Sequence, residues 1–454
     1  MQGTVTADET KTFPEFLDRA YPDIERGEGV WLCTTDGRKI LDACSGGAMV
    51  SCLGSGVQPV IDAAAKQAGI LPYYYDEQFT NEPKEELAKR LIAVAAPEMG
   101  RVRFVSSGSE ANEMALRLAR AYHVDRGQPD RWQVISPAQS YHGATMATIA
   151  LSGRPSIQGP YGPYLSAHPH IPPATWRFDA TGETALKELD RALQDLGPET
   201  VSAFFIEPVS ALSLPAYSPP EKFWEGLAER RDRYGFLVVF DEVVTGMGRT
   251  GRWFAYQQLP LVPDIVTTGK GLGAGYFPVG AVLCRQEVYD ALAASSRSFD
   301  LGHTWDGAPL SCAVGLAVLD VLSQRNLVER VRDRGPALRD ELASALSGSD
   351  FVHDVRGRGF LLGVELVDPR DGSSFLPADL HAAYLVEDQA FENGLLVRGT
   401  HSGSDEYTRD EVLLAPPYTS SDEDLATMVE RFAQTISQVE RSIKESLAGT
   451  PVGV

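Results

Sequence analysis

Residues 264–280 read DIVTTGKGLGAGYFPVG, a short apolar run that ends in one lysine, Lys270, set between glycines. Two routine readings of a glycine-flanked lysine fail here. A phosphate-binding P-loop requires GxxxxGK[ST], but position 264 is aspartate and position 271 is glycine. A dinucleotide-binding GxGxxG cannot be aligned either, because the places for its last glycine hold Ala274 or Tyr276. What remains is a lysine at the end of a buried strand. Burial favours its neutral form, which makes it a nucleophile suited to Schiff-base chemistry.

Working outward, apolar runs with the look of strands alternate with helical patterns between about residues 61 and 330. The runs include VRFVSSG (102–108), WQVISPA (132–138), VSAFFIEPV (201–209) and FLVVFDEVV (236–244). Each ends in polar or small residues and lies a helix length from the next. This pattern predicts an α/β fold with a mainly parallel central sheet, whose strand ends at the carboxyl side bind ligands. Residues 1–60 form short strand-like pieces broken by glycines. Residues 331–454 read as a smaller α+β unit, with GFLLGVEL and LLVR as strands, a helix between them and the polar insert GTHSGSDEYTRDE (399–411) as a surface loop.

The 454 residues carry 41 Lys and Arg against 62 Asp and Glu, a formal charge of -21, and show no basic cluster. Nucleic acid and anionic membrane surfaces are poor partners for such a chain. Its start lacks a basic segment followed by an apolar one, and it contains no long apolar span, so a cytosolic protein is expected. Five widely spaced cysteines without a CxxC suggest neither a disulfide framework nor a metal site.

Two more segments bring chemistry. SSGSEANEMALRLARAYH (106–123) opens a helix whose apolar positions Ala115, Leu118, Ala119 and Tyr122 share one face. Its N-terminus offers free N–H groups, with Gly108 allowing close approach and Ser109 adding a hydroxyl, which suits a phosphate. Taken alone, helix capping explains this serine more simply. In FLVVFDEVVTGMGRTG (236–251), Asp241 ends a buried strand and needs a cationic or hydrogen-bonded partner. A protonated ring nitrogen would serve, as would Arg249, Arg252 or a turn, and the segment leaves these open. As a set, the phosphate cradle, the strand-end aspartate and Lys270 describe a pyridoxal-phosphate site.

At these residues the chain resembles the class III aminotransferases, of the fold type I pyridoxal-phosphate enzymes. SGSEANE, YHG, DEVVTGMGRTG, DIVTTGKGLGAGYFPVGAV and GHTWDGAPLSCA occur in the family's order, and the likeness runs from about residue 12 to the C-terminus. The resemblance implies a large cofactor domain over 61–330 and a small domain assembled from both termini, 1–60 and 331–454. It implies that Lys270 holds the cofactor and moves the substrate's proton, and that Asp241 faces the ring nitrogen. Gly108 and Ser109 resemble phosphate donors. Tyr141 resembles the aromatic on one ring face, with Val243 on the other because it follows Asp241 by two residues on one strand face. His142 is expected in a supporting place near the cofactor and Glu207 near the cofactor's hydroxyl. Thr304 resembles a phosphate contact supplied by a neighbouring subunit, so the active unit is expected to be a homodimer, with a tetramer also open. Arg398 matches a carboxylate-binding arginine, and Tyr75 and Trp305 are candidates for a substrate pocket. The reaction implied is transfer of an amino group from an amine or ω-amino acid to a keto acid such as pyruvate, in two half-reactions. Alternatives within the family are an amino-acid racemase or epimerase, a decarboxylase and an aminomutase. Val244, where glutamine is frequent, and Ser55, where histidine is frequent, depart from the family's pattern close to the expected pocket.

Overall fold

The computed structural model describes residues 4–5, 10–17, 19–175, 179–299, 302–402 and 409–448. At its centre lies a seven-stranded sheet in the order Met99–Val105, Gly280–Arg285, Ile265–Thr268, Leu237–Asp241, Val201–Ile206, Gln133–Pro137, His170–Ile171. The strand ending in Asp241 runs parallel to those on either side of it, with Val239 opposite Ile265 and Phe205 opposite Val239. Every residue of VSAFFI, LVVFD and IVTT is buried, as expected of strands covered by helices on both faces.

Gly280–Arg285 is antiparallel to both of its neighbours. The chain between Thr268 and Gly280 contains only the short helical turn Lys270–Leu272. A parallel return needs a crossover, usually a helix, so this segment comes back alongside instead. That return keeps Lys270 at the carboxyl end of the sheet.

The helix Gly108–Asp125 begins directly after the strand Met99–Val105, and Ser107 caps it by accepting from the Glu110 amide at 3.2 Å. Its buried positions Ala111, Met114, Ala115, Leu118 and Ala119 pack on the sheet.

Both ends of the chain meet in a second sheet, where Leu395–Leu396 pairs with Lys39–Asp42, followed by Trp31–Thr34 and Ile24–Glu28. A further four-stranded sheet joins Val352–Arg358, Leu361–Leu366, Arg409–Leu414 and Arg398–Ser402. The helix Asp422–Ser446, capped by Ser421, buries Leu425, Met428, Phe432 and Ile436 against this region.

One expectation is corrected. The insert at 399–411 was expected as a surface loop, but both its ends are strand, Gly399 to Ser402 pairing with Arg409 to Val412, and Asp410 and Glu411 are buried. The polar composition misleads because Glu411 and the buried Glu365 share Arg356, a compensation between segments far apart in sequence. The centre of that insert, 403–408, lies outside the described residues.

No helix among the described residues is long and apolar enough to cross a membrane. Among those residues no group of His, Cys, Asp or Glu could hold a metal ion, and all five cysteines are buried and free.

Candidate active site

The carboxyl ends of the central strands border a cavity of about 490 Å³. Its walls include Gly108, Ser109, Tyr141, Asp241 and Lys270, together with Arg398 from the C-terminal part. Residues spread over 290 positions of sequence therefore meet in one place, as the topology of a parallel sheet requires.

Lys270 sits in the left-handed region with φ of 34°, a conformation that costs a non-glycine residue energy and is tolerated where the surroundings dictate it. Its ammonium has no hydrogen-bond or ion-pair partner among the described residues. Burial pushes it below the ordinary lysine range, opposed by the negative charges of Asp241 and Glu207. A lysine in that condition is predisposed to lose its proton and act as a nucleophile.

Asp241 is buried at the end of its strand, and its carboxylate accepts hydrogen bonds from His142 Nδ1 at 2.9 Å, Asn112 Nδ2 at 2.7 Å and the Val243 amide at 3.0 Å. Arg249 takes no part: its guanidinium donates to the carbonyls of Phe360 and Pro416 and to Ser45 Oγ. Of the partners the sequence left open, Arg249 is thus removed, and Arg252 is exposed.

The cavity end of the helix Gly108–Asp125 presents the amides of Gly108 and Ser109, neither of which has a hydrogen-bond partner among the described residues. Ser107 is the cap, so Ser109 lies inside the first turn, where Ser109 Oγ accepts from the Ala144 amide at 3.1 Å. Gly108 is needed for its size. A Cβ there would stand 2.6 Å from Val243 Cγ1.

The placing of Val243 differs in one respect from the sequence expectation. The strand stops at Asp241, and Val243 is in the turn that follows, so the shared-face argument does not apply. Val243 reaches the cavity because the Asp241 side chain captures its amide and folds the turn back.

Tyr141 and His142 come from the loop after the strand Gln133–Pro137. The Tyr141 amide donates to Glu207 Oε2 at 3.2 Å, and burial pushes the Tyr141 phenol up. His142 is buried edge-on to Phe205, its Nε2 without a hydrogen-bond partner. Glu207 accepts from the Ala211 amide as well, and burial pushes its carboxyl up to about 7.

Three expected residues are not brought to this cavity by the chain itself. Thr304 is exposed in a turn, and Tyr75 and Trp305 are 44% and 53% exposed. Trp305 instead packs edge-on against Tyr73, their ring centres 5.7 Å apart.

Asn112 and Glu387 are polar cavity residues that sequence reasoning missed. Asn112 lies within SGSEANE, and its signal was a polar residue on the buried face of a helix. Glu387, on the helix Ala382–Glu392, stands 3.7 Å from Arg398 and accepts from the Gly399 amide at 2.7 Å. No local pattern announces it.

The residues present fit pyridoxal phosphate on four structural observations. These are an unpartnered, desolvated lysine, two free amides at a helix start, a glycine with no room for a Cβ, and a buried histidine nitrogen lacking a partner. The aminotransferase class-III profile matches residues 16–436. The chain is 32% identical over 436 residues to the uncharacterized aminotransferase YodT of Bacillus subtilis, covering 94% of this chain and 98% of that protein. It resembles the crystal structure of a thermostable (S)-enantioselective omega-transaminase from Thermomicrobium roseum, with a TM-score of 0.87 at 32% identity over 95% of this chain and 96% of that one. A Pseudomonas jessenii omega transaminase solved in complex with PMP superposes with a TM-score of 0.88 at 29% identity, over 96% of this chain and 97% of that one.

Proposed function

The chain belongs to the class III aminotransferases, and from that premise we propose that it transfers an amino group from an amine or ω-amino acid to a keto acid such as pyruvate, using pyridoxal phosphate. The observation that carries the proposal is Lys270, unpartnered and held at φ of 34° on the wall it shares with Asp241 and the Gly108–Ser109 amides. The omega-transaminase structures above support the donor class.

In this reading Lys270 would hold the cofactor's aldehyde carbon, the Gly108 and Ser109 amides would take its phosphate, and Asp241 would face its ring nitrogen. Tyr141 and Val243 bound its ring, Glu207 lies toward its hydroxyl, and His142 supports Asp241. When bound, the cofactor supplies an electron sink for the bond broken at the substrate carbon. Lys270 Nζ, its proton affinity lowered by burial, would take the proton from that carbon and hand it on within the same half-reaction, and would run the same transfer in reverse in the other. The Asp241 carboxylate, held by Asn112, His142 and the Val243 amide, would face the ring from a fixed position. Arg398 binds a substrate carboxylate where there is one, and Glu387 takes the arginine when there is none.

Thr304, Tyr75 and Trp305 fit this scheme as surface that a second subunit covers, making a homodimer the active unit. Residues 1–60 and 331–454 then act as the small domain against a large domain of 61–330. A cytosolic setting is consistent with the free cysteines.

The test is an absorption spectrum of the protein loaded with pyridoxal phosphate, taken with a panel of amines and without keto acid. Loss of the visible band that pyruvate restores is the expected result, and Lys270→Ala should show no conversion while keeping its melting temperature. A band regenerated without any acceptor would replace the proposal by racemase, decarboxylase or mutase chemistry.

A further inference from the structure

Asn112 is 1% exposed and makes three side-chain hydrogen bonds to three separate segments. Its Nδ2 donates to Asp241 Oδ2 and to the His142 carbonyl, each at 2.7 Å. Its Oδ1 accepts from Thr267 Oγ1, also at 2.7 Å, and Thr267 is fully buried on the strand beside that of Asp241.

Chemistry fixes the direction of each bond. A carboxylate and a carbonyl, both acceptors, face one end of the amide, so that end must be the NH₂. The other end is then the oxygen, and the Thr267 hydroxyl must donate to it. Turning the amide over would set its oxygen against two acceptors in a buried place, which is costly. Thr267 therefore locks Asn112, and Asn112 locks Asp241 Oδ2 together with the main chain that carries His142. With the Val243 amide on Oδ1 and His142 Nδ1 on Oδ2, three donors converge on a carboxylate, an arrangement suited to its ionised, acceptor-only form.

We propose that Asn112, oriented by Thr267, is a positioning residue that fixes the Asp241 carboxylate and thereby sets how strongly the bound cofactor's ring holds its proton. This rests on the reading that Asp241 faces the ring nitrogen of pyridoxal phosphate. The titratable groups around Asp241 are His142 and Tyr141 on the loop after Gln133–Pro137, Glu207 after Val201–Ile206, Glu242 next to Asp241 in sequence, and Lys270. Asn112 is the uncharged member, so replacing it by an acid changes the charge around Asp241 at one point.

The experiment compares wild type, Asn112→Asp, Thr267→Val and Thr267→Ser, each loaded with pyridoxal phosphate. It reads the pH titration of the visible band without substrate, the cofactor's dissociation constant, and kcat and KM with pyruvate. In Asn112→Asp two carboxylates meet and share a proton, so the titration should move by about one pH unit or more. Turnover at neutral pH should fall by about tenfold or more, with KM for pyruvate changed by less than about threefold, because only the reacting state loses support. Thr267→Val should move the titration the same way by less, and Thr267→Ser, which keeps the hydroxyl, should restore it.

A folded Asn112→Asp protein with wild-type titration and turnover overturns the proposal. If that variant does not fold, the threonine pair decides: identical titrations in Val, Ser and wild type overturn it equally. A wild type that shows the band yet fails to convert amines removes the transaminase reading, while the titrations still judge Asn112. A wild type that shows no band removes both.

Discussion

Glu207 shows what one residue contributes when its neighbours are taken into account. Its carboxyl is buried and accepts from the Tyr141 and Ala211 amides, and burial, the larger effect, pushes it up to about 7. The unfolded chain would release that proton near the ordinary glutamate value of 4.5. The folded-state value is the higher one, so the neutral form's contribution to stability is complete below about pH 4.5 and is lost as pH rises through about 7. The cofactor-free protein should accordingly melt lower at pH 8 than at pH 5, with Glu242, also pushed up to about 7, adding to the trend. Glu207→Gln, which imitates the neutral acid, should shrink that difference by up to roughly 2–3 kcal/mol as read by thermal melts at both pH values. An unchanged difference in the variant would show that Glu207 is not protonated in the cofactor-free fold. The sequence made Glu207 legible as a strand-end acid. It could not supply the desolvation, which the folded surroundings impose.

At the scale of elements, the helix that starts at Gly108 and the turn that follows Asp241 are built against each other. Val243 fills the place a side chain on residue 108 would need, and its amide is held by Asp241. Gly108→Ala should push the turn away, destabilising the protein by about 1–3 kcal/mol as overpacking commonly does. It should also weaken pyridoxal phosphate binding by at least about tenfold, because a shift of the helix start removes the phosphate's amides. Calorimetric melting and cofactor titration of the same variant read the two effects, and tight binding with normal stability would show that the turn yields freely. SGSEANE suggested a helix start and FLVVFDEVV a buried aspartate. Their contact was invisible in sequence, as was the end of the strand at Asp241 and not Val243. The misread insert at 399–411 belongs to the same class, since Arg356, on another strand, neutralises its Glu411.

At the scale of the whole molecule, Tyr73, Tyr75, Phe79 and Trp305 leave large apolar surfaces exposed, and Thr304 stands next to them. Exposed aromatic surface of this kind marks an interaction site. Light scattering should return a mass twice the 49.3 kDa of the chain, and Trp305→Glu should yield a monomer with less than about one tenth of the activity. A fully active monomer would remove the role assigned to Thr304 across the interface.

The sequence by itself determined the α/β plan and the buried strands of the central sheet, and it singled out Lys270 and Asp241. Those follow from local causes: apolar runs set strands, a glycine-flanked lysine resists every routine reading, and an acid at a buried strand end demands a partner. Tertiary structure alone decided which partners are used. It removed Arg249 from Asp241, put Asn112 there instead with Thr267 holding Asn112, set Glu387 against Arg398 and kept Thr304, Tyr75 and Trp305 out of the chain's own cavity. The physical reason is that a hydrogen bond or ion pair is satisfied by whatever the fold brings within about 3 Å. Separation along the chain does not encode that distance.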